Sequence, residues 1–172
     1  GSGLTNTRIR ALNISGTNIF TGTFGGGVFL STNNGTSWTP ASSGLTNTYV
    51  NAITVSGTNL FASTEGGIFL STNNGTTWAA ASTGLTNTYT HAIAVSGTNL
   101  FAGTEDGVFF STNNGTNWTQ GSTGLTNTVI WALAVSGTYL FAGSNGNGVW
   151  RRPMDEIIPV ELISFTASVT GN

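Results

Sequence analysis

The sequence predicts an all-β chain assembled from four copies of one four-stranded antiparallel unit. Three observations carry this. The pentapeptide GLTNT begins at Gly3, Gly44, Gly84 and Gly124, at intervals of 41, 40 and 40 residues. The octapeptides STNNGTSW (31–38), STNNGTTW (71–78) and STNNGTNW (111–118) recur in step with it. Between these marks the apolar runs are short and bounded by Gly, Asn or Thr, and none shows the 3.6-residue period of a helix.

The second unit shows the plan. VNAITVS (50–56) is rich in β-branched residues and is followed by the turn GTN. LFAST (60–64) is the next strand, and EGG turns the chain again. IFLST (68–72) is the third strand, NNG is a hairpin signal, and TTWAAA (76–81) is the fourth strand. Runs such as Ile68-Phe69-Leu70 are apolar on both faces, as expected of sheets stacked between neighbouring sheets. A repeat of about 40 residues with four strands is what a β-propeller blade requires. The expected blades are 3–43, 44–83, 84–123 and an incomplete 124–153, followed by a tail over 154–172.

The octapeptide has a structural explanation. Asn33, Asn34 and Gly35 fall between the third and fourth strands, where Asn and Gly tolerate a left-handed turn. Trp38 follows and is expected to drop between adjacent sheets, a burial worth roughly 2–3 kcal/mol. The pattern Ser-x-Asn-x-Gly-x-x-Trp comprises Ser31, Asn33, Gly35 and Trp38, then Ser71, Asn73, Gly75 and Trp78, then Ser111, Asn113, Gly115 and Trp118. It resembles the Asp-box of BNR-type repeats, usually written Ser-x-Asp-x-Gly-x-Thr-Trp. Such repeats occur in sialidases, sortilin-like receptors, xyloglucan-degrading hydrolases and photosystem-assembly-factor-like propellers. The resemblance implies a propeller. It implies little about activity, because in that family the box lies away from the catalytic centre. Asn stands here where Asp is usual, and it can accept the same turn hydrogen bonds. The box also overlaps Asn-x-Thr sequons at Asn34, Asn74 and Asn114, with further matches at Asn13 and Asn117. Chance matches are expected in a chain so rich in Asn and Thr.

Composition narrows the function classes. Charged residues make up 6% of the chain, the four basic residues are all arginine, and the net charge is −2. That excludes the basic footprint of a nucleic-acid binder. Five Trp and ten Phe exclude a disordered chain. No stretch is long and apolar enough for a membrane helix. No signal peptide opens the chain, which predicts a mature or excised segment. There is no cysteine and a single histidine, so neither a metal site nor a cofactor is expected.

The copies differ at two places. One is the entry to the first strand: Arg8-Ile-Arg10, Tyr49-Val-Asn51, Tyr89-Thr-His91 and Val129-Ile-Trp131. The other is the second turn: Phe24 to Gly27, Glu65-Gly-Gly67, Glu105-Asp-Gly107 and Asn145 to Gly148. In an up-and-down blade both lie at one end, the end propellers commonly use for ligands. The functional reading is a binding face for carbohydrate or protein, built from Arg10, Asn51, His91 and Trp131. Tyr49, Tyr89, Glu65, Glu105 and Asp106 would lie further out. The alternative is drift of exposed loops after duplication.

Catalysis finds little support. A glycosidase needs two carboxylates roughly 5–10 Å apart across the substrate. Glu65 and Glu105 hold equivalent repeat positions, which points to inheritance rather than an acid/base pair. No arginine triad is spread over the blades, and no Gly-x-Ser-x-Gly elbow is present. The less favoured reading is a fragment of a glycan hydrolase.

The fourth unit ends in GVWRRP (148–153), without box or fourth strand. In the tail, Ile163, Phe165, Ala167 and Val169 alternate with Ser and Thr, which predicts a half-buried strand. That strand would complete a blade in cis or in trans. PVELISFTAS (159–168) resembles the segment that opens sorting modules in secreted bacterial proteins, which implies an extracellular or cell-surface location. Self-association is expected, either as a dimeric ring or as a head-to-tail polymer or fibre joined through the tail.

Overall fold

The computed structural model describes residues 2–126 and 128–158. Blade 1 contains β1 (Ile9–Ser15), β2 (Asn18–Thr23), β3 (Gly27–Ser31) and β4 (Thr39–Pro40). Blade 2 contains β5 (Val50–Ser56), β6 (Asn59–Thr64), β7 (Gly67–Ser71) and β8 (Ala79–Ala80). Blade 3 contains β9 (Thr90–Ser96), β10 (Asn99–Thr104), β11 (Gly107–Ser111) and β12 (Thr119–Gln120). Blade 4 contains β13 (Ile130–Ser136), β14 (Tyr139–Ser144) and β15 (Gly148–Pro153), and a 3-10 turn follows at Met154–Glu156. Each blade is an antiparallel meander in chain order, so the chain is an all-β propeller whose described fourth blade has three strands. The expected tail strand at Ile163, Phe165, Ala167 and Val169 lies outside the described residues.

The first hairpin of each blade is set by its turn. Ser15 pairs with Asn18, and Gly16 between them takes φ 60°. Positive φ at the first of two central residues is the position a type II′ turn reserves for glycine. The fourth strand is shorter than TTWAAA suggests. Its ladder with β7 takes in Ala79–Ala80, and the Ala81 N–H adds one bond to the Ile68 carbonyl at 2.8 Å. The backbone just before them is drawn into the box turn, and Trp78 leaves the sheet to plug the core.

The box is a closed set of local hydrogen bonds. Ser71 Oγ accepts the Gly75 N–H at 2.9 Å and donates to Asn73 Oδ1 at 3.0 Å. The same Oδ1 accepts the Thr77 N–H at 2.9 Å, and Asn73 Nδ2 donates to Thr77 Oγ1 at 2.8 Å. Asn74 and Gly75 sit at φ 53° and 75°. Asn33 and Asn113 make corresponding bonds. Three apolar cores result, one at each blade–blade junction. The first joins Phe20 and Val28 of blade 1 to Val50, Ile53, Leu60 and Trp78 of blade 2. In the third junction Ile157 replaces the missing Trp, packing over Gly121 and Phe110.

The inner strands β1, β5, β9 and β13 pack side by side in that order, and among the described residues no comparable packing joins β13 back to β1. The four blades therefore form an open arc. Leu12 of β1 is 64% exposed, whereas its counterpart Ile53 in β5 is buried. Trp38 does not reach the buried position expected of it. It is half-buried, while Trp78 and Trp118 are 4% and 3% exposed. The cause is the missing blade on that side of blade 1.

Candidate functional site

The site grows from an irregularity repeated in every blade. In β1, Ile9 pairs with Thr23 and Ala11 with Gly22, which leaves Arg10 as an extra residue without a partner on β2. The same bulge leaves Asn51 extra in β5, His91 in β9 and Trp131 in β13. A bulge bends its strand and re-aims a side chain. These four side chains together line one concavity of about 240 Å³.

Within it the residues engage in sequence order. Arg10 donates to Asn51 Oδ1 at 2.6 Å. Asn51 Nδ2 donates across the next junction to the Thr90 carbonyl at 2.9 Å. The His91 ring lies 4.0 Å from the Trp131 ring, centroid to centroid, at 35°. Trp131 remains 54% exposed. His91 is buried, and its Nε2 meets no hydrogen-bond partner among the described residues. Burial holds its pKa below the ordinary histidine value, against the opposing pull of the Glu105 carboxylate. The imidazole is therefore neutral near pH 7, with one nitrogen able to accept a hydrogen bond.

The other candidates divide. Glu65 and Tyr89 form a rim pair. The Glu65 carboxylate, an acceptor and a negative charge beside the Tyr89 hydroxyl, together with burial pushes the phenol up to about 12. Glu65 also lies 3.9 Å from the Arg10 guanidinium. Tyr89 packs beside His91 at 5.0 Å. Tyr49 stands edge-on against Phe24, with ring centroids 4.8 Å apart. Glu105 donates its backbone N–H to the Tyr89 carbonyl at 3.3 Å. Asp106 is turned away to accept from Thr86 Oγ1 at 2.9 Å, and does not line the concavity.

Phe24 and Arg8 are site residues that the sequence reading did not single out. The guanidinium carbons of Arg8 and Arg10 lie 4.2 and 4.0 Å from the Phe24 ring centre, a doubled cation–π contact. The signal was available. Phe24 is the one aromatic at the second turn, in the copy that carries two arginines at its entry. Among the described residues no group of three or more His, Asp or Glu is placed to hold a metal ion.

Bulged inner strands, boxed hairpins and a concavity at the blade entries define a β-propeller domain. The chain belongs to the DUF6242 β-propeller domain family, whose model matches residues 5–147. No curated protein matches the chain. Three solved structures illustrate the likeness in fold. One is the extracellular domain of BT4673 from B. thetaiotaomicron, described as a one-component system (18% identity, TM-score 0.74). The alignment covers 96% of this chain and 23% of that one. Another is an ancestral GH74 enzyme, AFV00434, at 21% identity and TM-score 0.71, covering 85% of this chain and 23% of that one. The computationally designed Ika4 protein is 14% identical at TM-score 0.69, covering 88% of this chain and 93% of that one. The chain thus spans about a quarter of the length of the first two.

Proposed function

We propose that this domain is a non-catalytic binding module, working outside the cell, that takes a carbohydrate in the concavity formed by the four bulges. The observation that carries the reading is the exposed face of Trp131, held in place by His91 and set beside Asn51 and Arg10. An exposed indole is costly without a partner, and a flat aromatic face stacks on the C–H face of a sugar ring. The planar guanidinium and amide groups beside it suit vicinal hydroxyls. Among the described residues no carboxylate lines the concavity, and Glu65 lies against the Arg10 guanidinium, which supports binding without hydrolysis. An extracellular setting is supported by the likeness to extracellular bacterial propeller domains.

A glycan array followed by calorimetry tests this. The expected result is binding that weakens tenfold or more in Trp131→Ala, since buried Trp anchors typically dominate such sites. Absence of any glycan ligand, or a ligand whose affinity ignores Trp131→Ala, would sink the reading.

A further inference from the structure

The three internal blade junctions share one fitting. At the first, Val50 of β5 occupies the space above Gly22 of β2, so close that a Cβ on Gly22 would lie 2.5 Å from Val50 Cγ1. At the third, Ile130 of β13 fills the space above Gly103 in the same way, at 2.7 Å. The middle junction has changed both partners together. Ser63 replaces the glycine and Thr90 the aliphatic residue, with Thr90 Oγ1 accepting the Thr64 N–H at 3.0 Å and donating to the Thr64 carbonyl at 2.8 Å. A second fitting accompanies the first. Gly75 presses on the Phe20 ring of the preceding blade, and Gly115 on that of Phe61.

Both fittings recur, unfilled, at the two ends of the arc. Gly143 is the counterpart of Gly22, and among the described residues a Cβ there would meet nothing nearer than Ala132 of its own blade at 3.6 Å. Ile9 is the counterpart of Val50 and Ile130. It is 45% exposed where they are fully buried. Gly35 faces only its own Trp38, while Phe141, the counterpart of Phe20, is half-buried. One end thus carries an aliphatic knob and a free glycine, and the other the matching hole and a free ring.

We propose that two copies of this chain join head to tail, blade 4 of each against blade 1 of the other, into one closed ring of eight blades. The surface that Gly143 and Phe141 require is a blade beginning with an unsealed β-branched residue. Among the described residues, the flank that offers it is that of β1. The contact continues the geometry of the three existing junctions, and two such contacts related by a twofold axis close the ring.

The test is molar mass in solution across a dilution series of the full chain. The expected value is twice 17.7 kDa. Ile9→Asp and Gly143→Val both alter positions left open in the single chain, so neither should disturb its circular dichroism. Each should raise the dissociation constant at least tenfold. Ile9→Thr and Gly143→Ser together copy the Ser63–Thr90 junction and should restore assembly better than either alone. A single-chain mass at every concentration, a mass beyond two copies, or dimers indifferent to Ile9→Asp would each overturn the proposal.

Discussion

The indole N–H of Trp78 donates to the carbonyl oxygen of Ala41 across 2.8 Å, from the second blade into the first. Trp118 makes the same bond to Ala81 at 2.8 Å. The second and third boxes therefore each bind their own blade to the one before it. Trp78→Ala should lower the free energy of unfolding by about 3–5 kcal/mol, the usual cost of emptying a large aromatic site. Trp38→Ala, measured in dilute single chains, should cost less than half as much. Urea unfolding followed by circular dichroism distinguishes the two.

Asn73 tests what the box needs from its third residue. Its Oδ1 accepts from Ser71 Oγ and the Thr77 N–H, while its Nδ2 donates to Thr77 Oγ1. Asn73→Ala removes both acceptor bonds and should cost about 1–3 kcal/mol. Asn73→Asp keeps the acceptor, and the Thr77 hydroxyl can turn to donate. Its cost should stay under about 1 kcal/mol. Equal losses in the two variants would show that the side-chain oxygen is not what holds the turn.

The Tyr89 phenol is pushed up from 10.0 to about 12, chiefly by the acceptor oxygen of the Glu65 carboxylate. The folded pKa is raised, so its contribution to stability is complete below pH 10.0 and is lost as the pH climbs through about 12. Difference absorbance between the parent chain and Tyr89→Phe isolates this phenol from Tyr49 and Tyr139. In Glu65→Gln its midpoint should fall back toward 10.0.

His91 has the opposite dependence. Burial depresses its folded pKa below 6.5, so near that pH the unfolded chain binds more protons than the native one. Stability should be level above neutrality and should decline as the pH drops below about 6.5, until the folded imidazole protonates. Urea midpoints on either side of that value, compared between the parent and His91→Gln, measure the effect. A slope that is unchanged in the variant would assign it to other groups.

Local chemistry made much of the architecture legible. Repeat spacing located the blades, the Gly-Thr turns located the first hairpins, and Asn34-Gly35 was recognisable as a left-handed turn, which φ values of 55° and 79° bear out. These features depend on residues close together in the chain, whose backbone preferences are written into their type. The variable positions Arg10, Asn51, His91 and Trp131 were also visible by comparing the copies. The bulge that turns them into one concavity was not, because a bulge is a mismatch of register between two strands and neither strand encodes it alone. Phe24 escaped notice because its importance depends on two guanidinium groups arriving from the entry to β1.

By itself, then, the sequence determined the all-β repeat, the boxed hairpins and the places where the blades differ. Among the described residues, tertiary structure alone decided that the arc stays open, that Trp38 and Ile9 lack the cover given to their counterparts, and that Gly143 has no neighbouring blade to fill the space above it. Burial is a property of neighbours. Identical octapeptides and near-identical strands are sealed or exposed according to whether another blade stands beside them.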